Sequence, residues 1–444
     1  MNPNPSSKKL HRAWSMYDWA NSAYNLVITS TIFPAYYDAI TQTQDATGKV
    51  ISNEVVFLGF RIASASLYTY SIAFAYLVIA FLSPILSSIA DYKGSKKGFM
   101  KFFCYIGSLA CCTLFFFTKD TLSLGIICCI IAAIGYCGSL VFYNAYLPEI
   151  AVEADQDKVS AQGFSYGYIG SVILQVICFV FVMAKPFGMD VGFASRLSFL
   201  LVGLWWMGFA QIPFSALPKN VSQAGKDSVN ILSKGFIELK KVWQQVRDLP
   251  VLRNYLAAFF FYSMGVQTVM LAATLFGSQV LHLATSKLII CILLIQIVAI
   301  LGSFFMAKLS LLLGNIRVLM INVVVWIMVC IIAYLVTTEM GFYVLAVMVG
   351  LVMGGIQSIS RSTYSKLMPE TRDTASFFSF YDVTEKIAIV IGMFSFGFIQ
   401  DLTGNMRNSI IALTIFFVVG FIFLIRTNKK AKQSGAFVHI SDKH

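Results

Sequence analysis

The chain carries twelve apolar runs long enough to cross a hydrocarbon layer of about 30 Å, which takes roughly 20 helical residues. They cover residues 14–37, 67–90, 101–118, 122–148, 162–184, 195–217, 252–277, 286–308, 317–337, 340–363, 375–399 and 406–425. A backbone in lipid must satisfy its own hydrogen bonds, so only helices or a closed barrel can cross. The runs are too long for barrel strands, which need about 9–11 residues. Composition agrees: 58% of residues are hydrophobic and 12% charged, against about 25% charged in soluble domains. Pro34, Pro84 and Pro213 fall inside the runs, which spanning helices tolerate when neighbours re-satisfy the backbone. The expected fold class is an all-α polytopic membrane protein with twelve transmembrane helices, spans 1 to 12.

Charge sets the expected topology. Most of the 33 lysines and arginines fall in the alternate loops that share a side with the N-terminus. By the positive-inside rule both termini are cytoplasmic. The net charge of +12 then faces anionic lipid, and nucleic acid is not expected as a partner. The four histidines (His11, His282, His439, His444) lie in polar segments, which argues against a buried His-ligated metal. The nine cysteines all lie in apolar stretches without CxxC spacing, as small hydrophobic fillers do. Neither a metal nor a cofactor is expected. Lys8, Lys9 and Arg12 precede an apolar run, but Asp18, Asn21 and Asn25 interrupt it and no small-residue cleavage site follows. The first run therefore reads as a retained helix rather than a signal peptide.

The longest polar interruption divides the chain into an N-terminal six-helix bundle (1–217), a cytoplasmic central loop (218–250), a C-terminal bundle (251–428) and a tail (429–444). Within the loop Leu232, Phe236, Leu239, Trp243 and Val246 recur at helical spacing, with Lys234, Glu238, Lys240, Lys241 and Arg247 between them. This is an amphipathic helix. It could lie flat on the inner leaflet or pack on the bundle. The two halves look duplicated. Pro148-Glu149, Ser160-Ala161 and Phe164-Ser165-Tyr166 recur in order as Pro369-Glu370, Thr374-Ala375 and Phe378-Ser379-Phe380. Each copy joins the fourth span of its half to the fifth. Two six-helix repeats about an axis along the membrane normal form a transporter architecture.

Between spans 2 and 3 stands Asp91-Tyr92-Lys93-Gly94-Ser95-Lys96-Lys97. Asp91, Gly94, Lys96 and Lys97 resemble the inter-helix loop motif of the major facilitator superfamily, although Ser87, Tyr92 and Ser95 depart from it. A tight glycine turn there brings a carboxylate and basic side chains together to latch neighbouring helices. In the second half, Gly302 and Gly314-Asn315-Ile316-Arg317 take the corresponding place without the aspartate. Plain positive-inside charge on a short loop is the alternative reading of the motif. Span 1 reads Tyr17-Asp18-Trp19-Ala20-Asn21-Ser22-Ala23-Tyr24-Asn25, with Phe33-Pro34 beyond. Further along come Asn144-Ala145-Tyr146-Leu147-Pro148-Glu149, Gly354-Gly355-Ile356-Gln357-Ser358-Ile359-Ser360-Arg361-Ser362, and Phe377-Phe378-Ser379-Phe380-Tyr381-Asp382 followed by Lys386. Together these resemble the vacuole effluxer-like family of the major facilitator superfamily, whose fungal members export amino acids from the vacuole. Ser379 and Met393 depart from the family pattern, where glycine and proline are expected. The resemblance implies a twelve-helix carrier and leaves its solute open.

Ionisable residues inside spans are costly and mark function by default. At about 1.5 Å per residue, Asp18 lies roughly 6 Å, Asp382 about 10 Å and Lys386 about 17 Å from the inner boundary. Two layers are expected. Asp18, Arg361 and Asp382, with Asn21 and Glu385 nearby, would form a gate or coupling layer. Lys386 with Tyr24, Asn25, Asn144 and Gln357 would bind the solute near the midplane, the lysine drawing in a carboxylate. A purely structural alternative pairs Asp382 with Lys386 at i, i+4, leaves Glu385 pointing elsewhere and lets Arg361 cap a loop with Glu370. Gly350, Gly354 and Gly355 suit close helix packing better than phosphate binding, since no Walker lysine follows.

The function expected is secondary transport of a small polar solute, most simply amino-acid efflux by alternating access; export of another metabolite or a drug is the alternative. An intramembrane enzyme would need a nucleophile–base pair or metal ligands, and the spans contain no histidine and no HExxH. A receptor would need a soluble signalling domain that the loops cannot hold. The expected partners are a small solute, H+ where transport is proton-coupled, and the lipid bilayer, with the chain acting as a monomer. Short loops and the lack of organelle signals point to a bacterial inner membrane.

Overall fold

The computed structural model describes residues 5–44, 50–52, 54–184, 188–218 and 231–434. It is helical almost throughout. Ten helices are long and apolar enough to cross a membrane: Ser64–Lys93 (span 2), Lys96–Phe116 (3), Lys119–Ile150 (4), Glu153–Ala184 (5), Val191–Ala216 (6), Pro250–Gln279 (7), Lys287–Leu313 (8), Asn315–Leu335 (9), Glu339–Leu367 (10) and Met406–Ser434 (12). Two further long helical segments complete the expected order, residues 5–41 (span 1) and Thr374–Thr403 (span 11). Polarity sets these two apart. Span 1 carries Asp18, Asn21 and Asn25, and span 11 carries Asp382, Glu385 and Lys386. Large apolar side chains such as Phe81, Leu301 and Phe394 are exposed on the outside of the bundles, where lipid is their solvent.

Within each half, antiparallel neighbours pack: span 3 on 4 and 6, and span 9 on 10 and 12. Across the halves, span 5 packs on 8 and 10, and span 11 on 2 and 4. The closest approach is made by small residues. A Cβ on Gly302 would meet the Leu351 carbonyl oxygen, and one on Gly354 that of Ala299, so spans 8 and 10 touch backbone to backbone. The first and last described helices start and end on one face, here the terminal face: His11 Nε2 lies 2.9 Å from the Ile150 carbonyl oxygen at the end of span 4. Lys432 shares a pocket there with Asp157 and Lys366.

Three features depart from expectation. Span 1 is not one α-helix: Pro5–Ala23 gives way to a π-helix over Tyr24–Thr31 and then to an α-helix over Ile32–Thr41. Ser30 Oγ donates to the Asn25 carbonyl at 2.9 Å and Thr31 Oγ1 to that of Leu26 at 2.7 Å, satisfying carbonyls inside the widened turn. Two short antiparallel strand pairs follow on the opposite face, the second pairing Glu54–Phe57 with Phe60–Ala63. Leu58 and Gly59, both at positive φ, make its two-residue turn. The last helix runs to Ser434, past the expected tail boundary, because Thr427 and Ala431 are buried against the bundle. The amphipathic helix Ile231–Asp248 packs on spans 2, 7 and 11 through buried Val242 and Val246. Trp243 stacks on Phe380 with ring centroids 5.8 Å apart. Of the two placements read from its sequence, the bundle-packed one is observed.

Candidate functional site

Spans 1, 4, 7 and 10 meet in the middle of the molecule and, with spans 2, 5 and 11, enclose a cavity of about 160 Å³. Asp18 and Asn25 face it from span 1, Asn144 from span 4, Gln267 from span 7, Gln357 and Arg361 from span 10, and Glu385 and Lys386 from span 11.

Arg361 forms the wall toward the terminal face. The end of span 10 is rich in hydroxyls, and most turn back onto their own helix: Ser358 Oγ donates to the Gly354 carbonyl at 2.7 Å and Thr363 Oγ1 to that of Ile359 at 2.6 Å. These side chains are thereby satisfied at depth, while Arg361 reaches across to the other half. Its Nη1 donates to Asp18 Oδ2 at 3.1 Å and to Asn144 Oδ1 at 3.2 Å. Its Nε donates to Ser160 Oγ at 3.0 Å and its Nη2 to the Ser160 carbonyl at 2.8 Å. The guanidinium also lies 4.2 Å from the Phe164 ring centroid and 4.8 Å from that of Trp14, where ring quadrupoles attract a cation. Tyr143 completes the arrangement by donating to Asp18 Oδ2 at 2.8 Å. A buried ion pair holds only when its remaining donors and acceptors are matched, and here four of the five guanidinium N–H donors are matched.

A second cluster lies on span 11. Lys386 Nζ is 3.4 Å from Asp382 Oδ1 and 2.9 Å from Glu385 Oε2, and sits 5.8 Å over the Tyr76 ring. Glu385 also accepts from Gln267 Nε2 at 3.1 Å. Asp382 Oδ2 is buried without a hydrogen-bond partner. Gln357 Oε1 accepts from Tyr168 at 2.7 Å, which ties span 5 to span 10 at the cavity edge.

Toward the terminal face the halves are latched twice. Gly94, at φ +62°, closes span 2 in a left-handed cap that L side chains with a Cβ disfavour, and the chain turns back so that Lys96 lies 3.4 Å from Asp91. Asp91 accepts from the backbone N–H and the Oγ of Ser376, each at 2.7 Å. It thus caps the exposed amides at the start of span 11. Lys96 pairs with Glu149 and donates to Thr374 Oγ1 at 2.7 Å. Lys97 instead donates to the Leu217 carbonyl at 2.7 Å, within its own half. At the symmetry-related place, Asp157 on span 5 accepts from Lys366 at 2.7 Å, Asn315 at 2.7 Å and Ser310 at 3.0 Å. The missing aspartate of the second loop is thus supplied by the opposite half.

The expected site residues divide accordingly. Asp18 and Arg361 meet as expected, while Asp382 does not join them; one helical turn before Lys386, it pairs with that lysine. The alternative pairing of Asp382 and Lys386 is therefore observed, but Glu385 shares the lysine rather than pointing away, and Arg361 does not cap a loop. Asn25, Asn144 and Gln357 line the cavity. Tyr24 lies outside it, packed on Tyr136 and Trp206 with centroids 4.9 Å and 5.9 Å away, because the π-helix starts at this residue and alters the register. Asn21 is buried, its Oδ1 accepting from Ser22 at 3.4 Å. Residues not singled out from sequence include Tyr76, Gln267, Asp157 and Lys366. Of these only the last two carried a signal, opposite charges at the ends of two spans, and such charges are ordinary there.

Comparison with known proteins places this geometry. The family described as "Vacuole effluxer Atg22 like" matches residues 6–436. The MFS-type transporter YxiO of Bacillus subtilis is 34% identical over 421 residues, covering 94% of each chain. Autophagy-related protein 22 of Eremothecium gossypii is 25% identical over 456 residues, covering 91% of this chain and 88% of its own. Among solved structures, the major facilitator transporter FucP in its outward conformation aligns with a TM-score of 0.67 at 14% identity. That alignment covers 95% of this chain and 98% of FucP, and shows a shared fold.

Proposed function

The chain belongs to the vacuole effluxer Atg22-like family and is a major facilitator-type transporter, and from that premise we propose that it carries a small zwitterionic solute, an amino acid, by alternating access. One observation carries the reading: Lys386 and Glu385, 2.9 Å apart, both face the same cavity. Side by side they present a cation and an anion, the complement of a carboxylate and an ammonium group held on one carbon. The cavity, at about 160 Å³, is below the ~300 Å³ at which drug-sized pockets begin, which favours a small metabolite over a drug. Asn25, Gln267 and Gln357 supply neutral donors and acceptors around the charges. Two carboxylates, Asp382 and Glu385, face one ammonium group, and the solute's own ammonium or a proton would settle the imbalance. The Asp18–Arg361 pair is the gate that must part before the terminal face opens. That face is cytoplasmic by the charge bias of its loops. One copy of the chain suffices, because the cavity is built from its own two halves.

Counterflow in proteoliposomes with a panel of amino acids is the test. Preloaded amino acid should accelerate uptake of the labelled one, and Lys386→Ala should abolish this while the protein stays folded. Exchange with no amino acid, or normal exchange by Lys386→Ala, would sink the assignment. A flux indifferent to a pH gradient leaves the charge balance to the solute alone.

A further inference from the structure

We propose that a second pocket, where spans 8, 9 and 12 end at the terminal face, binds the headgroup of an anionic phospholipid. This pocket, about 310 Å³, is separate from the central cavity. One side is formed by Leu311, Leu312 and Leu313 at the tip of span 8. All three are exposed, Leu312 at 76%, at the point where the helix leaves the hydrocarbon. Arg317, in the first turn of span 9, and Lys432, near the end of span 12, form the other side, and both are exposed. The back wall is the second latch, Asp157 with Lys366 and Asn315.

The charge balance of this pocket is decisive. Among the described residues lining it, Asp157 is the one carboxylate, and Lys366 is held 2.7 Å from it with both side chains almost wholly buried. Those two charges cancel. Among the described residues lining the pocket, Arg317 and Lys432 then remain as uncompensated positive charge beside exposed leucines. The positive end of the span 9 helix adds to the same potential. A soluble anion would match the cations but gain nothing from the leucines, and a neutral lipid would match only the leucines. A phosphate carrying no compensating amine, attached to acyl chains, satisfies both. Basic side chains at the membrane surface attract such lipids by about a factor of five each.

Full-length protein is reconstituted in nanodiscs of phosphatidylcholine mixed with phosphatidylglycerol, and retained lipid is read by native mass spectrometry. The wild type should retain phosphatidylglycerol over phosphatidylcholine. The double variant Arg317→Gln/Lys432→Gln, altered only at exposed positions, should lose roughly 25-fold of that preference, about fivefold per charge. Lys93→Gln/Lys240→Gln removes two exposed charges elsewhere on the terminal face and should retain the wild-type ratio. An unchanged ratio in the first variant, or an equal loss in the second, overturns the site. Inorganic phosphate added to protein in pure phosphatidylcholine should not shift the thermal midpoint. A shift matching that given by phosphatidylglycerol would assign the pocket to a soluble anion and overturn the lipid.

Discussion

A Cβ added at Gly163 would lie 2.6 Å from Asp18 Oδ2 and 2.8 Å from Arg361 Nη2. The ion pair between the halves therefore depends on a residue that carries no charge at all. Overpacking of this kind costs about 1–3 kcal/mol, and Gly163→Ala should lower both the thermal midpoint and transport even though every charge is kept. Asp18→Asn makes the complementary change: it keeps the shape and leaves Arg361 uncompensated. With Leu140→Cys in the cavity lining as reporter, Asp18→Asn should raise labelling from the terminal face several-fold; an identical labelling pattern would remove Asp18 from the gate. Of the nine native cysteines, all free, Cys137 also lines this cavity, so the reporter is placed in a Cys137→Ser background. The charged members of the site were legible in the sequence, because Asp18, Arg361 and Lys386 stand out in apolar surroundings. Their partners were not. Ser160 and Gln267 are ordinary side chains until the fold brings them to a charge, and Asp382 pairs with Lys386 rather than with Arg361 because depth along one helix does not say which face a side chain takes.

At the scale of elements, the spans were legible because lipid allows so few alternatives, although the apolar runs stop nine residues short of one helix end in spans 1, 5 and 12, where the helices continue into polar sequence. What hydropathy does not encode is local geometry. The π-helix of span 1 and the strand pairs after it arise from backbone choices that leave composition unchanged. The π-helix is nonetheless where Asn25 faces the cavity and Tyr24 turns away. Deleting one residue between Leu26 and Ile28 should restore α-helical register and rotate the flanking halves of span 1 by about 100° relative to each other. The expected outcome is a folded protein without exchange activity; normal exchange would show that the π turn has no part in the site. The latches also belong to this scale. Lys366→Met leaves Asp157 buried with its charge unmatched, a loss of about 3–5 kcal/mol for a buried pair. Asp157→Asn/Lys366→Met should recover much of it. A double-mutant cycle on thermal midpoints measures the coupling, and additive effects would mean that the two residues do not act as a pair.

Over the whole molecule, the duplication seen in sequence becomes an exchange of roles. In one latch the first half supplies Asp91 and Lys96 to the start of span 11; in the other the first half supplies only Asp157, and the second half brings Lys366 and Asn315. Reporters that work only in the cytoplasm, fused at either end of the chain, should both be active, and activity at one end alone would break the even count of crossings. The grip on span 11 has a mechanical corollary. Ser376, clasped by Asp91, and Lys386, in the cavity wall, sit on one continuous helix about 15 Å apart at 1.5 Å per residue. A stiff rod pinned near one end and loaded partway along it behaves as a lever. If the solute engages Lys386 as proposed, its pull on the ammonium group would be felt at the clasp, and release of the clasp would re-aim the ammonium group.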